Sequence, residues 1–322
     1  MIKILANDGL HPAGLRLLQQ AGYQVDLERV PQEKLPEVLP DYDVIIVRSA
    51  TKVREDLIAR CPRLKIIARA GVGLDNIDVA FAERQGIAVV NTPGASAVSV
   101  AELAFGHMFA LARYLHLSNR LMPAEGRTNF KALKKQFSSG MELRGRTLGV
   151  IGFGKIGLEV VRMGLALGMN VLAVDLRVEE VQVDLRIYDT NNVSLSVQVC
   201  TLPFEEVIRQ ADFISLHVPA QGNGKALIGK EEIAKMKEGV ILINTARGGL
   251  IDEEALLDAL NSGKVRGAGL DVFEGEPRPK QELLEHPRVS VSPHIGASTG
   301  EAQANIGQML AEQIIKRLAG VS

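Results

Sequence analysis

The chain has no tryptophan, only two cysteines and just 4% aromatic residues. Each shortage removes a class of function. Sparse aromatics leave few stacking platforms for single-stranded nucleic acid. A net charge of −1, with 37 Lys and Arg against 38 Asp and Glu, provides no global basic field for a polyanion. Cys61 and Cys200 stand outside any CxxC or metal-ligand spacing, so neither a metal site nor a disulfide framework is expected. Reduced thiols of this kind suit the cytoplasm. No apolar run reaches the length of a membrane span. The start, Met1-Ile2-Lys3-Ile4-Leu5-Ala6, reads as a strand rather than a signal peptide. Neither nucleic acid nor membrane is therefore an expected partner.

What is present suits a globular α/β protein. The 322 residues are enough for two domains, and 46% of them are hydrophobic. Strand signals at Ile2–Ala6, Gln24–Leu27, Val44–Val47, Leu64–Ala68 and Ala88–Val90 are interleaved with helical segments, starting with Pro12–Gln20. Such alternation predicts an open, mostly parallel sheet. A long helical pattern follows over Ser99–Leu117, apolar nearly all round, as for a helix buried between parts or subunits. Leu121–Leu143 reads as an irregular excursion. Further strands are expected at Thr147–Ile151, Val171–Val174, Phe213–Leu216, Val240–Asn244 and Ala268–Val272, with Val289–Val291 closing the sheet. Val178–Cys200 reads as a hairpin insertion turning at Asn191-Asn192. A terminal amphipathic helix, Gly300–Leu318, is expected to return to the first domain. The domains are accordingly 1–97 with 292–322, and 98–291.

One stretch carries a binding chemistry. Leu148-Gly149-Val150-Ile151 runs into Gly152-Phe153-Gly154-Lys155-Ile156-Gly157, then a helical pattern, then a strand ending in Asp175, which follows Gly157 by 18 residues. This is the βαβ fingerprint of a dinucleotide site. Gly152 permits the turn, Gly154 lets backbone N–H groups approach a pyrophosphate, and Gly157 lets helix and strand pack closely. Asp175 can accept hydrogen bonds from a ribose diol and would repel a 2′-phosphate, which favours NAD. Arg177 works in the other direction, since an arginine there can accept that phosphate.

Three polar residues fall at later strand ends, where ligands bind in open α/β sheets. They are Arg247 in NTARGG, Glu276 in DVFEGEP and His294 in SPHIGAST. Histidine suits proton transfer near neutral pH. A carboxylate against the imidazole orients the ring and favours its charged form. Pro277 restricts Glu276 to extended backbone. An arginine fork can pair with the carboxylate of a 2-oxo acid. Taken singly, Arg247 could equally pair with Asp252, and His294 could be a hydrogen-bonded loop residue.

Together with Arg48-Ser49-Ala50-Thr51-Lys52-Val53, Ala70-Gly71-Val72-Gly73-Leu74-Asp75-Asn76 and Asn91-Thr92-Pro93-Gly94, these motifs span nearly the whole chain. The sequence resembles the D-isomer-specific 2-hydroxyacid dehydrogenases, and most closely their phosphoglycerate dehydrogenase branch. The resemblance implies an NAD-binding Rossmann domain inserted into a discontinuous flavodoxin-like substrate domain. It implies Arg247, Glu276 and His294 as the catalytic set. It implies cofactor contacts from Lys155, Ile156, Val218, Thr245, Ala246 and Asp271 beside the glycines and Asp175, with Asp271 on the nicotinamide carboxamide. It implies substrate contacts from Arg48, Lys52, Arg69, Gly71, Val72 and Gly73, the cations holding a phosphate, with Lys134 or Lys135 offered by a partner subunit. A homodimer through the cofactor domains is implied, as is a short form with no regulatory domain after Ser322. The first functional reading is oxidation of 3-phosphoglycerate for serine biosynthesis. A glyoxylate or hydroxypyruvate reductase is the alternative, needing no phosphate site. A non-catalytic NAD-sensing corepressor would keep the same three residues, but the lack of tryptophan and of long tails speaks against it.

Overall fold

All four residues of Val44-Ile45-Ile46-Val47 are buried, as expected for a parallel strand covered on both faces. In the computed structural model, which describes residues 1–186, 194–221 and 224–320, this segment is β3 of a five-stranded parallel sheet. Its companions are β1 (Lys3–Ala6), β2 (Gln24–Asp26), β4 (Ile66–Arg69) and β5 (Ala88–Asn91), in the order β2-β1-β3-β4-β5. The Gly300–Leu318 helix packs on Pro12–Gln20 so closely that a Cβ on Gly14 would lie 2.2 Å from the carbonyl oxygen of Gly307. Side chains larger than hydrogen at this crossing would force the helices apart. Ile306, Leu310 and Ile314 complete the core over Ile4, Ile46 and Ile66.

The second sheet is also parallel, with six strands. These are β6 (Thr147–Ile151), β7 (Asn170–Val174), β10 (Phe213–Leu216), β11 (Val240–Asn244), β12 (Val265–Leu270) and β13 (Val289–Val291), ordered β13-β12-β11-β10-β6-β7. Chain order reverses between β6 and β10, which is the topological switch point where ligands bind such sheets. The hairpin is present as β8 (Glu180–Arg186) and β9 (Ser194–Cys200), antiparallel from Glu180↔Cys200 onward, with Val183 and Val199 buried. The Asn191-Asn192 turn lies outside the described residues.

The chain divides into two compact units, 1–97 with 297–322, and 98–296. The second junction thus falls at 296/297 rather than 291/292. The reason is local: the Asp271 carboxylate accepts hydrogen bonds from Ser292 Oγ, Ile295 N and Gly296 N, which ties this segment to β12.

Three local readings change. The helix expected over Ser99–Leu117 ends at Ala112, because Tyr114 takes a left-handed backbone at φ 57°. Arg266 holds it there, donating to Tyr114 Oη at 2.7 Å while its guanidinium stacks on the ring. The Ala97–Ala112 helix is buried on one face only, and Val98 and Phe109 are exposed. The excursion at Leu121–Leu143 is largely helical, with Leu115–Glu125 and Phe130–Gln136. Leu115–Glu125 has no buried residue, so no apolar stripe betrays it in sequence. Finally, β12 spans Val265–Leu270, not Ala268–Val272.

Candidate active site

The glycine loop leaves β6 at Gly152, whose φ is +100°. A Cβ there would lie 2.5 Å from the carbonyl oxygen of His217, at the end of β10, and 2.8 Å from Val218 Cγ1. A Cβ on Gly157 would lie 1.9 Å from the carbonyl oxygen of Gly152, so the Lys155–Ala166 helix can approach the turn only with glycine there. Gly154 is different: nothing lies within 4 Å of its would-be Cβ, and it caps the helix without a side-chain hydrogen bond. The first N–H groups of that helix, from Lys155 and Ile156, are therefore open to an anion at the positive end of the helix dipole.

Asp175 follows β7. Its Oδ2 accepts the Phe153 N–H and its Oδ1 the Arg177 N–H, both at 2.8 Å. Burial raises its pKa, but backbone donors from Arg177, Phe153 and Val178 outweigh that and hold the carboxyl below the usual range. It is thus a fixed carboxylate tied directly to the glycine loop, with lone pairs left for a diol. Thr245 and Ala246 follow β11, and Asp271 follows β12. Thr245 is buried, and its Oγ1 has no protein partner. An open helix terminus, a fixed acid and an unpartnered buried hydroxyl along one sheet edge fit a dinucleotide.

At the other end of that edge, Arg247, Gly248, Phe273, Glu276 and His294 line one cleft of about 360 Å³. The Asn244 side chain shapes the Arg247 turn, donating to Arg247 O at 2.8 Å and accepting from Ala246 N at 3.1 Å. Arg247 Nη1 donates to Ala246 O. A Cβ on Gly248 would lie 2.0 Å from Phe273 O, so the arginine turn sits against the loop that carries Glu276. Glu276 Oε1 accepts the Phe273 N–H at 3.0 Å, and its Oε2 lies 2.9 Å from His294 Nδ1. His294 adopts a left-handed backbone, φ 54°, rare outside glycine. Its side chain is 48% exposed, open to a reactant. Asp252 caps the Glu253–Ser262 helix by accepting from Glu254 N and Ala255 N.

The residues of the first unit lie along the carboxyl edge of its own sheet. Arg48 follows β3 and Arg69 ends β4, and Val47 is paired with Arg69 in the sheet. Asp8 scaffolds the Arg48 loop, accepting from Arg48 N, Thr51 N and Thr51 Oγ1. Arg69 Nη1 lies 1.5 Å from where a Gly71 Cβ would be, so the guanidinium crosses the glycine of the Gly71-Val72-Gly73 turn. Lys52 is exposed, and its backbone is clasped by the Gln32 side chain. Lys134 and Lys135 end the Phe130–Gln136 helix.

Two histidines, the half-buried His217 and the buried His107, escape a reading by motif. His217 bonds Ser215 through Nε2 at 2.8 Å. His107 bonds Ser290 and Ser292 at 2.9 and 3.0 Å. A lone histidine in an apolar helical stretch is the only sequence signal for the second, and its partners are far along the chain.

Residues 105–296 match the family model for the D-isomer specific 2-hydroxyacid dehydrogenase NAD binding domain. Over 320 residues the chain is 46% identical to the hydroxypyruvate reductase of Thermotoga maritima, covering 98% of each. It is 44% identical over 320 residues to the D-3-phosphoglycerate dehydrogenase of Methanocaldococcus jannaschii, covering 99% of this chain but 58% of that one. Among solved structures it resembles a glyoxylate reductase from Paecilomyes thermophila, with a TM-score of 0.83 and 30% identity over 99% of this chain and 95% of that one.

Proposed function

The chain belongs to the D-isomer-specific 2-hydroxyacid dehydrogenases and carries their NAD-binding domain, and we propose that it interconverts a small D-2-hydroxy acid and its 2-oxo acid. The observation that carries this reading is the Glu276–His294 pair opening into the cleft shared with Arg247. When bound, nicotinamide supplies or accepts the hydride. The protein handles the rest. His294 Nδ1 is held by Glu276, which leaves Nε2 to exchange a proton with the oxygen on C2. With its ring oriented by Glu276, His294 in its imidazolium form can protonate that oxygen during reduction. Arg247 offers a planar pair of donors to the substrate carboxylate, orienting C2. Asp175 selects NAD by repelling a 2′-phosphate.

For the substrate, 3-phosphoglycerate is the first reading, with 3-phosphohydroxypyruvate as product and serine biosynthesis as the setting. Arg48, Lys52 and Arg69 support it, because cations on one sheet edge suit a phosphate. A hydroxypyruvate or glyoxylate reductase is the second reading. It is supported by the 46% identity to the Thermotoga hydroxypyruvate reductase, against 44% to the Methanocaldococcus phosphoglycerate dehydrogenase. The test is the absorbance change of NADH and NADPH with 3-phosphohydroxypyruvate, hydroxypyruvate and glyoxylate, and of NAD with 3-phosphoglycerate. No turnover with any of these acids would overturn the proposal. Hydroxypyruvate preferred over its phosphate would establish the second reading.

A homodimer through the cofactor unit completes the proposal. Its support is the exposed apolar surface of the segment after Val98, including Phe109, Leu115, Met122 and Phe130. A cytoplasmic setting is proposed with it. Among the described residues no helix is long and apolar enough to cross a membrane.

A further inference from the structure

His107 lies in the Ala97–Ala112 helix, is 5% exposed and touches neither the glycine loop nor the cleft residues Arg247, Glu276 and His294 in any hydrogen bond described above. Its two ring nitrogens nonetheless have partners that lead toward His294. Nδ1 is 2.9 Å from Ser290 Oγ, and Nε2 is 3.0 Å from Ser292 Oγ. Ser292 Oγ is in turn 2.6 Å from Asp271 Oδ1, a carboxylate oxygen that can only accept. The Ser292 proton is therefore spent on Asp271, and Ser292 must accept from His107 Nε2–H. That fixes the tautomer: Nδ1 carries the lone pair and accepts from Ser290. Burial lowers the His107 pKa against the opposing pull of the Asp271 charge, with His116 acting in the same direction as burial, so the neutral ring this chain requires is the favoured one.

The chain ends on backbone. Asp271 is 1% exposed, and besides Ser292 it accepts the N–H groups of Ile295 and Gly296, both at 2.8 Å. Those are the two residues after His294, whose left-handed backbone has to be held by its surroundings. The helix, β13 and β12 are thereby linked through side chains to the turn that presents the imidazole. The fit is close: a Cβ on Gly269 in β12 would lie 2.6 Å from His107 Cβ.

We propose that His107 is a positioning residue for the reaction: through Ser292 and Asp271 it holds the backbone turn that carries His294. The proposal rests on His294 being the proton-transfer group. It predicts that His107→Leu lowers kcat about tenfold, the effect of one hydrogen bond lost from a buried network, with KM for the oxo acid changed less than about threefold. Amide exchange at residues 295 and 296, followed in the free enzyme by mass spectrometry, should speed up about tenfold. A glutamine amide reaches where Nε2 stands, and an asparagine amide reaches only to Nδ1. His107→Gln should therefore restore most of kcat and of the exchange protection, and His107→Asn should not. Ser292→Ala should lower kcat similarly, and the double variant should lose little more than either single one, because both cut the same chain. Asn rescuing as well as Gln, additive losses, or unchanged exchange in a folded variant would each overturn the proposal. If His107→Leu fails to fold, the Gln and Asn pair and Ser292→Ala still decide it. His294→Ala is assayed alongside. Full turnover in that variant would remove the acid–base reading, whereas loss there with wild-type behaviour in every His107 variant would remove the positioning role alone.

Discussion

Glu276 Oε2 and His294 Nδ1 lie 2.9 Å apart, and the other carboxylate oxygen of Glu276 is pinned by the Phe273 N–H. The carboxylate is thus held at both oxygens, and the imidazole cannot turn without breaking a bond. His294→Ala should lose roughly 10²–10⁴-fold in turnover, the usual worth of general acid–base catalysis. NADH binding should hardly change. Glu276→Gln keeps an acceptor for the ring but removes the charge beside it, so turnover should fall, though by less than in His294→Ala. Steady-state kinetics check both, and wild-type turnover in His294→Ala would remove the assignment.

Asp175 sits between the glycine loop and the end of β7, already fixed by the backbone donors of Phe153, Arg177 and Val178. Losing a charge-assisted hydrogen bond costs about 1.5–3 kcal/mol. Asp175→Ala should raise the NAD dissociation constant roughly ten- to a hundredfold, and discrimination against NADP should fall with it. Isothermal titration calorimetry measures both. Equal NAD and NADP affinity in the native protein would contradict the selection argument, and would point to Arg177.

Arg48 and Arg69 separate the two substrate readings. If they bind a phosphate, each alanine variant should lose about 1.5–3 kcal/mol in kcat/KM on 3-phosphohydroxypyruvate, as for a hydrogen bond to a charged group. Hydroxypyruvate should hardly notice. The penalty should shrink as salt rises, because such a site is partly open to solvent. Equal losses on both substrates would leave the arginines without a phosphate to bind.

His217 sets a stability limit on the acid side. Burial pushes its pKa down from 6.5 to about 3, and its Nδ1 has no protein partner. An unfolded chain protonates this ring below about pH 6.5, while the folded chain keeps it neutral until about pH 3. The unfolded state therefore binds the extra proton, and the contribution of this group is fully present above pH 6.5 and is lost as pH drops toward 3. The slope from this one group is at most about 1.4 kcal/mol per pH unit. Urea unfolding at a series of pH values should show a shallower slope in His217→Gln. An unchanged slope would mean that the ring is protonated in the folded protein.

Local patterns made the parallel strands, the glycine loop, the hairpin and the terminal helix legible in sequence. That Arg247, Glu276 and His294 meet in one cleft is legible from their places after β11, β12 and β13, each beside glycine or proline. What was missed depends on partners distant in the chain. The left-handed Tyr114 is held by Arg266, and nothing near Tyr114 announces a break. The start of β12 does not read as strand because Gly267 and Gly269 interrupt its apolar pattern. Those glycines stand where Leu111 and His107 press on the strand, 2.9 and 2.6 Å from would-be Cβ atoms. His107 itself finds Ser290 and Ser292 at separations of 183 and 185 residues, beyond any local periodicity.

The crossing of Gly14 and Gly307 bears on the order in which the protein can be made. The core of the first unit includes Ile306, Leu310 and Ile314, so residues 1–97 leave the ribosome without the helix that covers them. At roughly 5–20 residues per second, the wait for residue 300 is on the order of tens of seconds. Meanwhile residues 98–296 are a continuous stretch and hold every strand of their own sheet. The nucleotide-binding half can therefore mature on the nascent chain, while Ile4, Ile46 and Ile66 lack the cover of Ile306, Leu310 and Ile314 until that helix has been made.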